Sequence, residues 1–231
     1  MTIFVVLAVV GALVLLLAAR TLLVLVGKGR FERYWQEGLG QLPTEGALRL
    51  VVLGDSISVG VGACSRHKTL VGRVAAYLEA QTGRAVHLQN YGRSGATADE
   101  LLEQQLPQAD LAHADVVMLE VGANDSRRRT PAQYEKAMKE ILNKLPRDKT
   151  IIADVPGVKN REAYQAVLDR LLKDERFIRA DIVRAFSGPG ANFGVTAGDF
   201  FHPNNRGYGF WFRAFRPGID QVLQNKTTKI A

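Results

Sequence analysis

A chain of 231 residues, 47% hydrophobic and 23% charged, fits one domain of ordinary size with something attached, and it excludes a disordered or collagen-like polymer. The formal net charge of +7 points to anionic partners, but zinc-finger and RNA-recognition signatures are missing, so no nucleic-acid partner is expected. A single cysteine, Cys64, excludes an intrachain disulfide and a cysteine-rich metal site; as a lone thiol it is expected to pack as a small apolar residue.

From Thr2 to Val26 the only charged residue is Arg20. As a helix this run spans roughly 37 Å at about 1.5 Å per residue, enough to cross a bilayer core of about 30 Å. A cleaved signal peptide would start with positive charge and end at a small-residue site, neither of which is found here. The run is apolar on every face, which fits a core helix badly. Residues 1–27 therefore read as an uncleaved transmembrane anchor in contact with the lipid bilayer. In "GKGRFERYW", Lys28, Arg30 and Arg33 with Tyr34 and Trp35 form an interfacial belt. The positive-inside rule places them, and the domain behind them, on the cytoplasmic side. Glu32 and Glu37 dilute that signal, so a periplasmic or extracellular domain stays open. Residues 28–46 read as a juxtamembrane segment and linker, with Gly38, Gly40, Pro43 and Gly46 breaking the chain after Gln36.

Beyond the linker, apolar runs alternate with amphipathic stretches. Strands are expected at Leu48–Leu53, Ala85–Asn90, Asp115–Val121, Thr150–Val155 and Phe177–Ile182. Helices are expected at Lys68–Gln81, Ala98–Gln105, Pro131–Leu145 and Arg161–Lys173, with a last one from Asn205 to about Phe215, before Pro217. Thr130 before Pro131 is a strong helix start. This alternation implies βαβ units and a parallel sheet with helices on both faces. The domain is placed at 47–225, followed by a tail at 226–231.

In such a sheet, ligands sit beyond the carboxyl ends of the strands. There the sequence offers Gly54-Asp55-Ser56, "NYGRSGATADE", "VGANDSRRR" and "GDFFHPNNRGYG". A serine becomes nucleophilic when a base takes its proton and a carboxylate fixes the tautomer of that base. Ser56, His202 and Asp199 have the chemistry for those three tasks. The backbone N–H groups of Ser56 and Gly95 and the amide of Asn124 are candidate donors to an oxyanion. Each residue has a plainer reading: Ser56 as a helix cap, Gly95 as a turn glycine, Asn124 in an Asx-turn, Asp199 and His202 as loop residues. Their joint occurrence in this order favours the chemical one.

"GDSIS", "NYGRSGAT", "GAND" and "DFFHPNNRGY" resemble the four signature blocks of the SGNH hydrolases, the GDSL-like lipase/esterase superfamily. The resemblance spans about Leu48 to Phe215. It implies Ser56 as nucleophile, Gly95 and Asn124 as oxyanion donors, and Asp199 and His202 as acid and base of the triad. It also implies an α/β fold, a three-layer α/β/α sandwich with a flavodoxin-like, parallel, five-stranded sheet. Where relatives often carry a small residue, Phe200 and Phe201 stand between Asp199 and His202, and they are candidates to narrow the acyl site or face the membrane. Arg127, Arg128 and Arg129 read as a solvated face or as a clamp for an anionic headgroup. The aromatic run Tyr208–Phe215 reads as core packing.

The expected activity is a membrane-anchored serine esterase acting on ester or thioester bonds of lipid-like acyl groups such as lysophospholipids, without metal or cofactor. One alternative is an O-acetylesterase of carbohydrate or cell-envelope polymers. Another is a membrane-tethered binding module that has lost catalysis.

Overall fold

The structure, a computed structural model, describes residues 2–157, 160–173, 176–188, 190–191 and 193–230. Met1 of the expected anchor and Ala231 of the expected tail lie outside the described residues. Five strands, β1 (Leu48–Gly54), β2 (Val86–Asn90), β3 (Val116–Glu120), β4 (Thr150–Ala153) and β5 (Ile178–Ala180), pair in parallel in the order β2-β1-β3-β4-β5. The strand order reverses at β1, which lies between β2 and β3. Leu50 of β1 stands opposite Leu88 on one side and Val116 on the other.

Alternating side chains feed two separate cores, as the period of two in a strand requires. Leu50, Val52, Val116 and Met118 face the layer formed by α1 (Thr2–Leu39), α3 (Leu70–Thr82) and α9 (Asn205–Ile230), where Val74, Leu78, Trp211 and Phe215 are buried. Val51, Leu53, Val117 and Leu119 face α4 (Ala98–Gln104), α6 (Pro131–Lys144) and α7 (Arg161–Leu172), meeting Tyr134, Met138 and Leu168. Each such side chain contributes on the order of 1.5–3 kcal/mol on burial. The three-layer sandwich is the one expected, and α6 opens with the predicted cap: Thr130 accepts from the Gln133 amide in a reciprocal capping box.

Two helices run past their expected ends. α1 continues through Gln36–Leu39, where a linker was expected. Phe31 and Trp35 bury one face of this half against the domain, and Trp35 Nε1 donates to the Val59 carbonyl at 2.8 Å. That packing outweighs the weak helix preference of Gly38, and the helix stops only before Gly40 and Pro43. α9 passes through Pro217 and crosses the expected boundary between domain and tail. Ile219 and Val222, beyond the proline, are fully buried, and Lys226 pairs with Asp115. These contacts offset a helix break worth about 3 kcal/mol.

The α1 segment Ile3–Leu39 is, among the described residues, the one helix long and apolar enough to cross a membrane, and its most apolar stretch is unburied. Cys64 does not pack as an apolar residue: it is exposed, and its Sγ accepts from Asn205 Nδ2 at 2.9 Å. Its neighbours are the loops at the top of the sheet and the inner face of α1, which leave it open to solvent.

Candidate active site

The site begins where β1 runs out. Gly54 is required sterically: a Cβ there would stand 2.2 Å from Ser58 Oγ and 2.4 Å from the Glu120 carbonyl. Gln105 grips the same residue through both its backbone groups, accepting from Gly54 N and donating to Gly54 O at 2.9 Å each. The following turn opens α2 (Ser56–Val59), whose cap is Asp55: its Oδ1 accepts from Ile57 N at 3.0 Å. Ser56 is thus the first helical residue and not the cap. Its own N–H has no acceptor among the described residues, as expected for the first turn of a helix.

The candidate base, His202, comes from the loop before α9. Ala197 N donates to the His202 carbonyl at 2.7 Å and Asn204 N to the Val195 carbonyl at 2.9 Å, pinching residues 195–204 into a tight turn. At its tip Phe200 takes a left-handed backbone, φ +56°. Asp199 Oδ1 accepts from the amides of Phe201 and His202 at 3.1 and 3.0 Å, while Oδ2 lies 2.6 Å from His202 Nδ1. His202 Nε2 is 3.0 Å from Ser56 Oγ. Partial burial opposes the charge on Asp199. The His202 contact and the two amides outweigh it, and the carboxyl titrates below its usual range. Asp199 and His202, neighbours in one turn, are therefore joined to the distant Ser56 in one hydrogen-bonded chain able to draw a proton from Ser56 Oγ.

The donor side differs in detail from expectation. Gly95 has φ +89°, and its N–H has no acceptor among the described residues. Asn124 Nδ2 already donates to Asp55 Oδ2 at 3.0 Å and to the Ala96 carbonyl at 3.1 Å. It must exchange one of these bonds to reach a substrate, because an amide nitrogen has two hydrogens.

Beneath the serine lies a carboxyl pair. Glu120, at the end of β3, and Asp55 are both buried, and Asp55 N donates to Glu120 Oε2 at 3.4 Å. Burial raises both groups, and the neighbouring Asp55 charge lifts Glu120 further, well above its usual range. Of the two, Glu120 is raised further. The one carboxylate at the end of the apolar run "VVMLEV" was the sequence signal for it.

A cavity of about 440 Å³ opens in front of Ser56. Ser56, Asn124 and His202 line it, with Ile182, Val183, Phe186, Phe201 and Trp211 as apolar walls. Ile182 and Val183 belong to α8 (Ile182–Ala185), a short helix without a periodic signal in the sequence. Of the three suggested substrate contacts, only Phe201 lines the cavity. Phe200 points elsewhere and is exposed, and the Arg127 guanidinium stacks on the Phe201 ring, 4.4 Å from its centroid. Arg128 pairs with Glu100 and donates to the Gly95 carbonyl, and Arg129 pairs with Asp99 at 2.8 Å. The arginine run is therefore split among separate partners. Arg128 and Arg129 tie to the Gly95 loop and the start of α4, and the three arginines do not form one clamp.

Serine, histidine and aspartate thus meet at the carboxyl edge of a parallel sheet with helices on both faces. The chain belongs to the GDSL-like lipase/acylhydrolase family, whose model matches residues 52–210. No curated protein is matched by its sequence. The solved structure of TesA is similar over 75% of this chain and 99% of its own, at 22% identity and a TM-score of 0.62. A lipase/acylhydrolase from Enterococcus faecalis covers 74% and 95%, at 20% identity and a TM-score of 0.63. Axe2, an acetylxylan esterase from Geobacillus stearothermophilus, covers 74% and 94%, at 20% identity and a TM-score of 0.57.

Proposed function

We propose that this protein is a membrane-anchored serine esterase that cleaves acyl esters of lipid-like molecules through an acyl-enzyme on Ser56. The observation that carries the reading is His202 within hydrogen-bond reach of Asp199 and Ser56 at the mouth of an apolar cavity. His202 Nε2 takes the Oγ proton as Oγ attacks the ester carbonyl. The oxyanion that forms is met by the N–H groups of Ser56 and Gly95 and by the Asn124 amide. His202 then passes its proton to the departing alcohol. A water, deprotonated by the same ring, attacks the acyl carbon and frees Ser56. Asp199 stays ionised throughout and holds the tautomer. Ile182, Val183, Phe186 and Trp211 receive the acyl chain, while α1 fixes the enzyme in the bilayer that supplies it.

The test uses the full chain in detergent micelles with p-nitrophenyl esters from acetyl to palmitoyl, together with fluorophosphonate labelling. Rates should rise beyond acetyl, and Ser56→Ala should abolish both turnover and labelling. Turnover that persists in Ser56→Ala would refute the mechanism, and a sharp preference for acetyl would refute the lipid-like substrate.

A further inference from the structure

A second cavity, of about 720 Å³, lies between α1 and the catalytic loops. Arg20 and Arg30 line it from α1 and Arg206 from the first turn of α9, and no aspartate or glutamate is among its lining residues. None of the three arginines forms an ion pair with a described residue. Arg30 donates to the Cys64 carbonyl at 3.3 Å and Arg206 to the Gly190 carbonyl at 2.9 Å, which leaves most of each guanidinium's five N–H groups uncommitted. Between Arg20 and Arg30, α1 lines the cavity with Leu23, Val24 and Val26, and Thr196, Asn204 and Asn205 line it as well. Cations and aliphatic side chains thus share one cavity, and opposite charge is absent from it.

Its height along α1 is set by helix geometry. From Ile3 to Arg20 the helix rises roughly 26 Å, so Arg20 stands near the edge of a bilayer core about 30 Å thick, and the cavity opens at headgroup level. The helix is docked there, not loosely tethered. Thr21 Oγ1 donates to the Gly198 carbonyl at 3.5 Å, and Glu32 Oε1 accepts from Ser94 N at 3.3 Å. A Cβ on Gly198 would come within 2.7 Å of the Arg20 Cβ and carbonyl oxygen. Gly198 lines the cavity and precedes Asp199, so the cavity shares a wall with the loop that carries Asp199 and His202.

We propose that this cavity binds the phosphate headgroup of an anionic phospholipid from the bilayer that α1 spans, a site separate from the one at Ser56. Arginine guanidiniums pair with phosphate oxygens two at a time, and the acyl chains of the lipid continue into the bilayer core along the exposed apolar residues of α1 that precede Arg20, such as Leu13, Leu16 and Leu17. The inference rests on the membrane-anchor reading but not on esterase activity. The occupant is a lipid of the bilayer that borders the cavity at headgroup level, and not free phosphate.

The experiment purifies the full chain from mixed micelles of equal phosphatidylglycerol and phosphatidylcholine and quantifies retained lipid by mass spectrometry. Wild type and Ser56→Ala should both retain phosphatidylglycerol over phosphatidylcholine. The double variant R30Q/R206Q should lose that preference, by about fivefold per arginine removed. R30K/R206K, which keeps the charge, should retain a preference well above that of R30Q/R206Q, and this guards against a fold defect. Equal retention of both lipids by wild type, or an unchanged preference in R30Q/R206Q, would overturn the site. Loss of the preference in Ser56→Ala would place the lipid at the ester-cleaving cavity, and displacement by inorganic phosphate would make the site one for a soluble anion. Either result overturns the proposal. A chain without esterase activity that still sorts the lipids refutes the esterase reading alone.

Discussion

Replacing Asp199 with asparagine tests the proposed proton path with almost no change in shape. Asp199 Oδ1 receives two backbone amides, from Phe201 and His202, so an asparagine keeps its oxygen there. Its NH2 then faces His202 Nδ1, across the gap where Oδ2 stood at 2.6 Å. Two donors cannot share that gap. The ring must move its proton to Nε2, which then points an N–H at Ser56 Oγ, 3.0 Å away, and has no lone pair to accept the serine proton. Losing the base while keeping the oxyanion donors is expected to lower kcat about 10⁴-fold, or about 5.5 kcal/mol of barrier. The assay is kcat for a p-nitrophenyl ester with the full chain, with fluorophosphonate labelling rates and thermal unfolding beside it. Labelling should slow in parallel while the melting temperature stays close to wild type. A D199N enzyme that melts normally and works within about tenfold of wild type would refute the role of Asp199.

Asp125, buried and accepting from Ala98 N at 3.1 and 3.2 Å, is pushed from 3.8 to about 6, first by burial and then, against that amide, by the nearby Asp99 charge. A raised carboxyl keeps its proton in the native state after the unfolded chain has released it. Stability is therefore lost as pH rises from about 3.8 through about 6, by about 3 kcal/mol in total. Asp125→Asn should flatten that decline, read from unfolding at pH 4 and pH 7; parallel declines in variant and wild type would exclude this group. Trp35→Phe keeps the buried ring but leaves the Val59 carbonyl without its indole donor, and should cost about 1–3 kcal/mol of stability. Chemical denaturation measures it, and a neutral result would mean that α1 does not hold the end of α2.

The five strands were legible because a parallel sheet covered on both faces leaves unbroken apolar runs, and none of their ends moved by more than two residues. The serine, histidine and aspartate stood out as candidates for a different reason. They lie in short sequence blocks in loops that follow strands, and it is the order of the four blocks together, and not any one residue, that singles them out. The tertiary structure alone decided what distant segments do to one another. Packing by Phe31 and Trp35 carried α1 past Gly38, and burial of Ile219 and Val222 carried α9 through Pro217, because side-chain burial outweighs local propensity. It also committed Asn124 to Asp55 and Ala96, separated Arg127 from Arg128 and Arg129, and brought Ile182, Val183 and Phe186 to the cavity in front of Ser56. No periodicity encodes such contacts, since each is set by where two remote stretches of chain meet around the sheet.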